Sequence, residues 1–356
     1  MDILRISISK FSEHLHLLFL TSYYITPVYN NSMIEIQKIG DKEQWDEYVL
    51  EEGGHPLQLW GWGQVKAAHG WTAERVFAYD DEKLVGAAQV LIRKLPSPFR
   101  SFGYIPRGPI VSEEYRDEFL GLLANMVKRD YKSVALSIEP DAIEFQAPEG
   151  WSRSKNKVLS AETIQLDLRK TESDLLADMA KKTRQYIRKS AAEGIQIKQV
   201  RTKEELEKCL QIYHQTAQRA NFNVHNDQYY LDVFNLMKDH SPVFAAYLED
   251  QPIAFLWLAI SADTAYELYG GMNDDGQRLR ANYALKWHVM RKVKEWGLST
   301  YDFGGLVVGG VSIFKQGWAA EETVLAGTFD KPLSPLYSVW SKALPAAKSV
   351  VQKLRR

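Results

Sequence analysis

Residues 76–92, VFAYDDEKLVGAAQVLI, recur in outline as 244–260, FAAYLEDQPIAFLWLAI, and this duplication constrains the fold more than any other feature. Tyr79 aligns with Tyr247, Val85 with Ile253 and Ile92 with Ile260, each pair 168 positions apart. Both segments read as strand, acidic turn, strand, with Asp80-Asp81 in the first and Glu249-Asp250 in the second. Further along, 128–138 (KRDYKSVALSI) matches 294–304 (KEWGLSTYDFG) at a spacing of 166, each the end of an amphipathic helix running into a strand. Two matches at nearly constant offset predict two copies of one α/β domain.

The order within each copy is strand, helix, antiparallel hairpin, further strand, helix, strand. That is a mixed α+β sheet rather than the βαβα alternation of a doubly wound fold. It resembles the layout of the GCN5-related acyltransferases, so the expected fold is two tandem acyltransferase-like domains. The expected boundaries are 33–165 plus 328–356 for the first and 166–327 for the second. A chain of 356 residues has room for both. Residues 1–32 lack alternation, and their longest unbroken apolar run is Leu17–Leu20, too short for a membrane span. Strand texture begins with MIEIQKI, so Met33 is the expected native start, with an anchor as the other reading of the leader.

Composition removes several classes. Apolar residues make up 45% and charged residues 25%, as in a cored globular protein. Lys plus Arg total 44 against 45 acids, so contact with an anionic partner must come from a local patch. Cys209 is the one cysteine, which excludes an intrachain disulfide and fits a reducing, cytoplasmic setting. Its spacing with Leu206, Leu210 and Tyr213 is that of a helix core position rather than a nucleophile. His55, His69, His214, His225, His240 and His288 are scattered without the spacing of a metal motif.

An acyl donor carried on coenzyme A needs backbone N–H groups opened by glycine at a helix start. The matching place in the second copy reads Gln277-Arg278-Leu279-Arg280-Ala281-Asn282, with arginine in the glycine position. In the first copy Pro106-Arg107-Gly108-Pro109 loses two donors to proline. Neither loop suits coenzyme A.

Five segments in order, QLWGWGQVK (58–66), GYIPRGPIV (103–111), KKTRQYIRKSAAEGI (181–195), ELYGGMNDDGQRLRANYALKWHVM (267–290) and YDFGGLVVGGVSIFKQGW (301–318), together resemble the FemABX family. The resemblance runs from Met33 to the end, without the long coiled-coil arm of some relatives. It implies an aminoacyltransferase that moves one amino acid from aminoacyl-tRNA to the stem-peptide amine of a peptidoglycan precursor, UDP-linked or lipid-linked. No cofactor is implied beyond the charged tRNA as co-substrate, and the expected state is a monomer. The rivals are a coenzyme-A-dependent N-acyltransferase and a non-enzymatic RNA-binding module.

By this resemblance Lys66 binds the precursor's pyrophosphate; the bland reading is a surface lysine beside core tryptophans. Arg184 and Arg188, in a run of five cations without an acid (Lys181, Lys182, Arg184, Arg188, Lys189), face precursor phosphate or tRNA backbone, or simply solvent. Tyr269, Asn282 and Tyr283 offer hydrogen bonds to the stem peptide, or fill the core. Lys315 resembles the lysine near the tRNA terminus and has charge for an oxyanion, while Asp302 orients its neighbours. The aspartate that follows the PRGP segment in relatives is replaced by Ser112-Glu113-Glu114. The general base is left between Glu113 and the RNA's own terminal groups. The tail 333–356 holds Lys342, Lys348, Lys353, Arg355 and Arg356 and no acid. Its amphipathic texture suits either contact with an anionic membrane surface or packing on the first domain.

Overall fold

In the first copy of the duplicated unit the chain forms β1 (Glu35–Lys38), α1 (Lys42–Glu51), α2 (Trp60–Ala68), β2 (Trp71–Asp80), β3 (Lys83–Lys94), β4 (Ser101–Pro106), β5 (Ile110–Val111), α3 (Glu113–Tyr131) and β6 (Ser133–Glu139). Short strands β7 (Ser152–Arg153), β8 (Glu162–Thr163) and β9 (Gln165–Asp167) lead to α4 (Glu172–Asp178) and α5 (Lys181–Ala191). The second copy follows as β10 (Gln196–Val200), α6 (Lys203–Ala220), α7 (Asp227–Met237), β11 (Val243–Leu248), β12 (Gln251–Ser261), β13 (Thr264–Met272), α8 (Asp274–Arg278), α9 (Ala281–Glu295) and β14 (Thr300–Asp302). The chain closes with β15 (Thr323–Val324), β16 (Phe329–Pro332) and α10 (Tyr337–Leu354). This computed structural model describes residues 34–306, 314–319 and 321–354, and side chains only as far as 345 in α10. The expectation for residues 1–32 lies outside the described residues.

The repeated hairpins are β2–β3 and β11–β12. Both turn through two residues, with Asp81 at φ 53° and Glu249 at φ 54°, the left-handed conformation that matches strand twist. Both carry a register shift at the same place, between Ala78 and Tyr79 and between Ala246 and Tyr247. The hairpins anchor two sheets. One runs β1-β2-β3-β4-β6-β16-β7 with β5 on β3, and the other β10-β11-β12-β13-β14-β9.

Each sheet is finished by a strand from beyond its own copy's helices. β9 pairs with β14 in the second sheet, and β16 returns from the far end of the chain to pair with β6 in the first. Residues 34–356 accordingly form one compact unit with two lobes.

Helix α3 shows how the first core forms. Phe119, Leu123 and Val127, at i, i+4 and i+8, are fully buried against the sheet, each worth about 1.5–3 kcal/mol in removed apolar surface. Glu113 and Glu114 at its start and Lys128 and Arg129 at its end complement the helix dipole. In the second lobe α6 opens with a capping box between Thr202 and Glu205. Cys209 is buried there with Leu206 and Leu210, and burial pushes its thiol up to about 12. That environment removes it from nucleophilic chemistry.

Helix α10 lays Trp340 onto the first sheet, 4.9 Å from the Phe102 ring centre. No helix among the described residues is long and apolar enough to cross a membrane.

Candidate functional site

The WGWG pair of α2 sets the seam between the lobes. A Cβ at Gly61 would stand 2.5 Å from the Leu236 carbonyl of α7, and one at Gly63 would stand 2.1 Å from the Gln89 side chain. Glycine at both positions therefore lets α2 lie against the second lobe and against β3. Lys66 leaves this helix at its last turn. Its ammonium donates to the Tyr229 hydroxyl of α7 at 2.8 Å and sits 4.3 Å from the Trp62 ring centre. Burial lowers its pKa to about 8, and the like charge of Arg93 adds to the shift. No described carboxylate pairs with Lys66.

Tyr269 of β13 reaches the same place, sharing a hydroxyl hydrogen bond with Tyr229. Its ring packs 5.1 Å from Tyr230, 5.5 Å from Trp257 and 5.8 Å from Tyr213. Beside them His69 of α2 meets Asp232 of α7 at 2.8 Å, and Arg93 donates to the His69 carbonyl at 2.7 Å.

The PRGP segment crosses the seam at a second point. Arg107 is held at φ 47° and is buried, donating to the Ser160 carbonyl at 3.1 Å and to the Tyr266 hydroxyl of β13. Its Nε is buried without a partner. Burial, and then the positive charge of Arg107, hold His55 well below the usual imidazole range. His55 Nδ1 accepts from the Leu57 N–H at 3.1 Å, so the ring is neutral with its proton on Nε2. Asp141, just past β6, has surface open to solvent yet is crowded by protein. Its carboxyl is pushed up to about 6 by that desolvation, which outweighs the opposing pull of Arg107.

Asp302 and Lys315 organise one turn. Asp302 accepts from the Thr163 hydroxyl at 2.6 Å, the Gln165 amide at 3.0 Å and the Gly304 N–H at 2.7 Å. Gly304 and Gly305, at φ 65° and 72°, then swing the chain off β14. Lys315 donates to the carbonyls of Phe303, Gly304 and Gly305, which occupies all three of its N–H groups. Burial pushes its pKa below the usual lysine value, against the pull of Glu267 and Asp302. β14 pairs with β13 over its whole length, against Thr264 to Tyr266, and ends at Asp302. Beside this end lies a buried ion pair, Lys286 of α9 with Glu267 of β13, to which Tyr301 also donates at 2.6 Å. Burial lowers Lys286 to about 8 despite the carboxylate.

The basic run is α5. Arg184 turns back over α4, and its Nη1 donates to the carbonyls of Leu176, Ala177 and Met179 at the end of that helix. Arg188 is exposed, as are Lys181, Lys182 and Lys189. Tyr186 packs 5.1 Å from Tyr283 of α9, which contacts Phe314 at 5.0 Å and Trp318 at 5.9 Å. Asn282 is half-buried at the start of α9, and its amide makes no side-chain hydrogen bond among the described residues. Arg280, where a coenzyme A loop needs glycine, is indeed left-handed at φ 55°, but its guanidinium covers the Tyr186 ring at 4.6 Å.

The expected residues thus fall into three groups: Lys66 with Tyr269, Asp302 with Lys315, and Asn282, Tyr283 and Arg188 around the junction of α5 and α9. Glu113 stands in the first turn of α3 with its side chain 82% exposed, 3.5 Å from Arg116. Tyr229, Arg93 and the Lys286–Glu267 pair escaped the sequence reading because each acquires its partner through the fold. Arg107 was legible only as part of the PRGP segment. Among the described residues no cluster of His, Cys, Asp and Glu could hold a metal ion.

The FemAB family model matches residues 41–165, and the acetyltransferase (GNAT) domain model matches 177–316. The lipid II:glycine glycyltransferase of Staphylococcus epidermidis is 20% identical over 404 residues, which covers 88% of this chain and 97% of that protein. The protein of the same name from Staphylococcus aureus is 20% identical over 409 residues, with the same coverage. The crystal structure of FemX superposes with a TM-score of 0.77 at 19% identity, covering 86% of this chain and all of that one. L-PGS from Bacillus licheniformis has the same fold at a TM-score of 0.56 and 14% identity, covering 90% of this chain and 99% of that one. Two acyltransferase-like lobes, the ordered motifs and these alignments together support the resemblance to the FemABX family.

Proposed function

We propose that this protein transfers one amino acid from an aminoacyl-tRNA to the stem-peptide amine of a peptidoglycan precursor, in the synthesis of interpeptide bridges. The observation that carries the reading is Lys66. It is a cation boxed by Trp62 and Tyr229, with Arg93 rather than an acid as its charged neighbour. Such a place gains most from an anion, and a pyrophosphate brings the two charges their counterpart. The full-length alignments with lipid II:glycine glycyltransferases support a muropeptide as the owner of that pyrophosphate. A lipid-linked acceptor puts the reaction at the inner membrane surface.

The chemistry is aminolysis of an ester. The amine nitrogen attacks the aminoacyl carbonyl, an oxyanion forms, and the C–O bond to the terminal ribose breaks. One proton passes from the amine to the ribose oxygen. Little covalent help is needed, and orientation of the two substrates supplies much of the acceleration. Lys315 holds the Phe303–Gly305 turn, which sets its positive charge beside the end of β14. Asp302 holds the same turn from its other side. Tyr269 keeps Tyr229 in place beneath Lys66, while Asn282 and Tyr283 line the approach to the donor end.

The test is mass spectrometry of precursor incubated with charged tRNA and the protein, with and without ribonuclease. A gain of one amino-acid residue that ribonuclease abolishes is expected. Acetylation from acetyl-CoA without any such gain would overturn the reading.

A further inference from the structure

Helix α5 carries more charge than its packing explains. From 179 to 192 the chain has no acidic residue, and Lys181, Lys182, Arg188 and Lys189 are all exposed with no ion pair among the described residues. Lys181, Arg184 and Arg188, at i, i+3 and i+7, are like charges at helical spacing, which costs the helix stability. Lys182, Tyr186 and Lys189 stand at i, i+4 and i+7, on one stripe. The stripe is extended from a different element, because Arg280 at the start of α9 lays its guanidinium 4.6 Å over Tyr186 while the Lys182 ammonium lies 5.6 Å from the same ring. Arg280 adopts its left-handed backbone at a position that glycine would occupy without strain.

We propose that Lys182, Tyr186, Lys189 and Arg280 form the docking surface for the phosphate backbone and unpaired 3′ end of the donor RNA. The proposal rests on the aminoacyl-tRNA reading above and adds where that RNA lies. The cations meet phosphates, and the guanidinium stacked on a phenol presents its outer plane to a base. From Tyr186 the rings of Tyr283 and Phe314 follow at 5.1 Å and 5.0 Å, and Phe314 adjoins Lys315 in sequence. The Ala180 N–H bonds the Gly317 carbonyl at 3.0 Å, which ties the start of α5 to the segment bearing Lys315. A strand held by the stripe therefore has an aromatic path to the reacting end. An anionic membrane fits this surface less well. Membrane-bound helices put apolar side chains into the lipid, whereas Thr183, Ile187 and Ser190 of α5 are buried in the protein.

The experiment compares the full chain with a Lys182→Ala, Lys189→Ala, Arg280→Ala variant and with a Lys83→Ala, Lys208→Ala control at exposed sites elsewhere. KM is measured for charged tRNA and for precursor, and binding of uncharged tRNA is followed against salt. In the triple variant the KM for tRNA should rise about tenfold or more, and the slope of log affinity on log salt should fall by about two to three. The KM for precursor should stay put. A single Lys189→Glu variant repeats the test should the triple variant fold poorly, and Arg280→Lys should keep the salt slope while losing affinity. Unchanged tRNA parameters alongside tRNA-dependent turnover in the parent would overturn the docking surface alone. No tRNA-dependent turnover in the parent would overturn the donor reading together with the surface. If the triple variant instead loses binding to phosphatidylglycerol vesicles with RNA binding intact, the surface belongs to the membrane and the proposal falls.

Discussion

Lys66 of the first lobe donates its ammonium proton to the hydroxyl of Tyr229 in the second, at 2.8 Å, across a seam formed by α2 and α7. One hydrogen bond thereby couples the two halves of a duplicated chain at a site where no described carboxylate offsets the positive charge. Binding an anion there should depend on both lobes.

Replacing Lys66 with Ala should raise the KM for precursor about ten- to a hundredfold, the range for a lost charged hydrogen bond worth about 1.5–3 kcal/mol. Because the ammonium loses its proton near pH 8, kcat/KM for precursor should fall as pH rises through that value. Lys66→Arg should remove this alkaline limb, since guanidinium stays charged. Steady-state kinetics between pH 6 and pH 10 read both effects.

Lys315→Ala should lower kcat by about 100-fold or more with the KM for precursor little changed, as for loss of an electrostatic group at the reacting centre. Single-turnover transfer from charged tRNA measures it. A fall in melting temperature with normal kcat would instead assign Lys315 to the turn alone.

The Lys286–Glu267 pair should matter to folding in an asymmetric way. Glu267→Gln leaves the buried Lys286 amine without its counter-charge, at a cost of about 3–5 kcal/mol. A double replacement, Glu267→Leu with Lys286→Met, should recover a large part of that loss. Urea denaturation of the three variants checks the difference.

For Asp141 the native pKa of about 6 lies above the ordinary aspartate value of 3.8. The native state therefore binds the proton more tightly than the unfolded chain does. That contribution to stability is complete below about pH 4 and is lost as pH rises through about 6. Asp141→Asn should raise the melting temperature at pH 8 relative to the parent and leave the difference small at pH 4.

Trp340 is buried in the first lobe at 4% exposure, so Trp340→Ala should cost about 3–5 kcal/mol. Deleting residues 346–356 keeps that anchor while removing Lys348, Lys353, Arg355 and Arg356. The truncated chain should keep its melting temperature but bind anionic vesicles more weakly, as a flotation assay would read.

The duplication was legible because hairpin strands carry their pattern locally. Tyr79 and Tyr247 match in sequence, and the same bulge precedes both in space. Arg184 shows the limit. Its place in a basic run suggests an anion, yet the end of α4 lies close enough to take its guanidinium. Lys315 shows it again, since sequence supplies a charge and only the Phe303–Gly305 turn says where its protons go.

Periodicity, turn residues and the repeat offset therefore determined from sequence alone that two copies of one α/β unit are present, because backbone preference and alternation act over a few residues. Tertiary structure alone decided that Lys66 meets Tyr229, that Glu267 meets Lys286, and that Arg280 rather than Arg184 joins Tyr186. These contacts join residues far apart in the chain. Their energies depend on burial and on the partner's charge, and neither quantity exists until the lobes have packed.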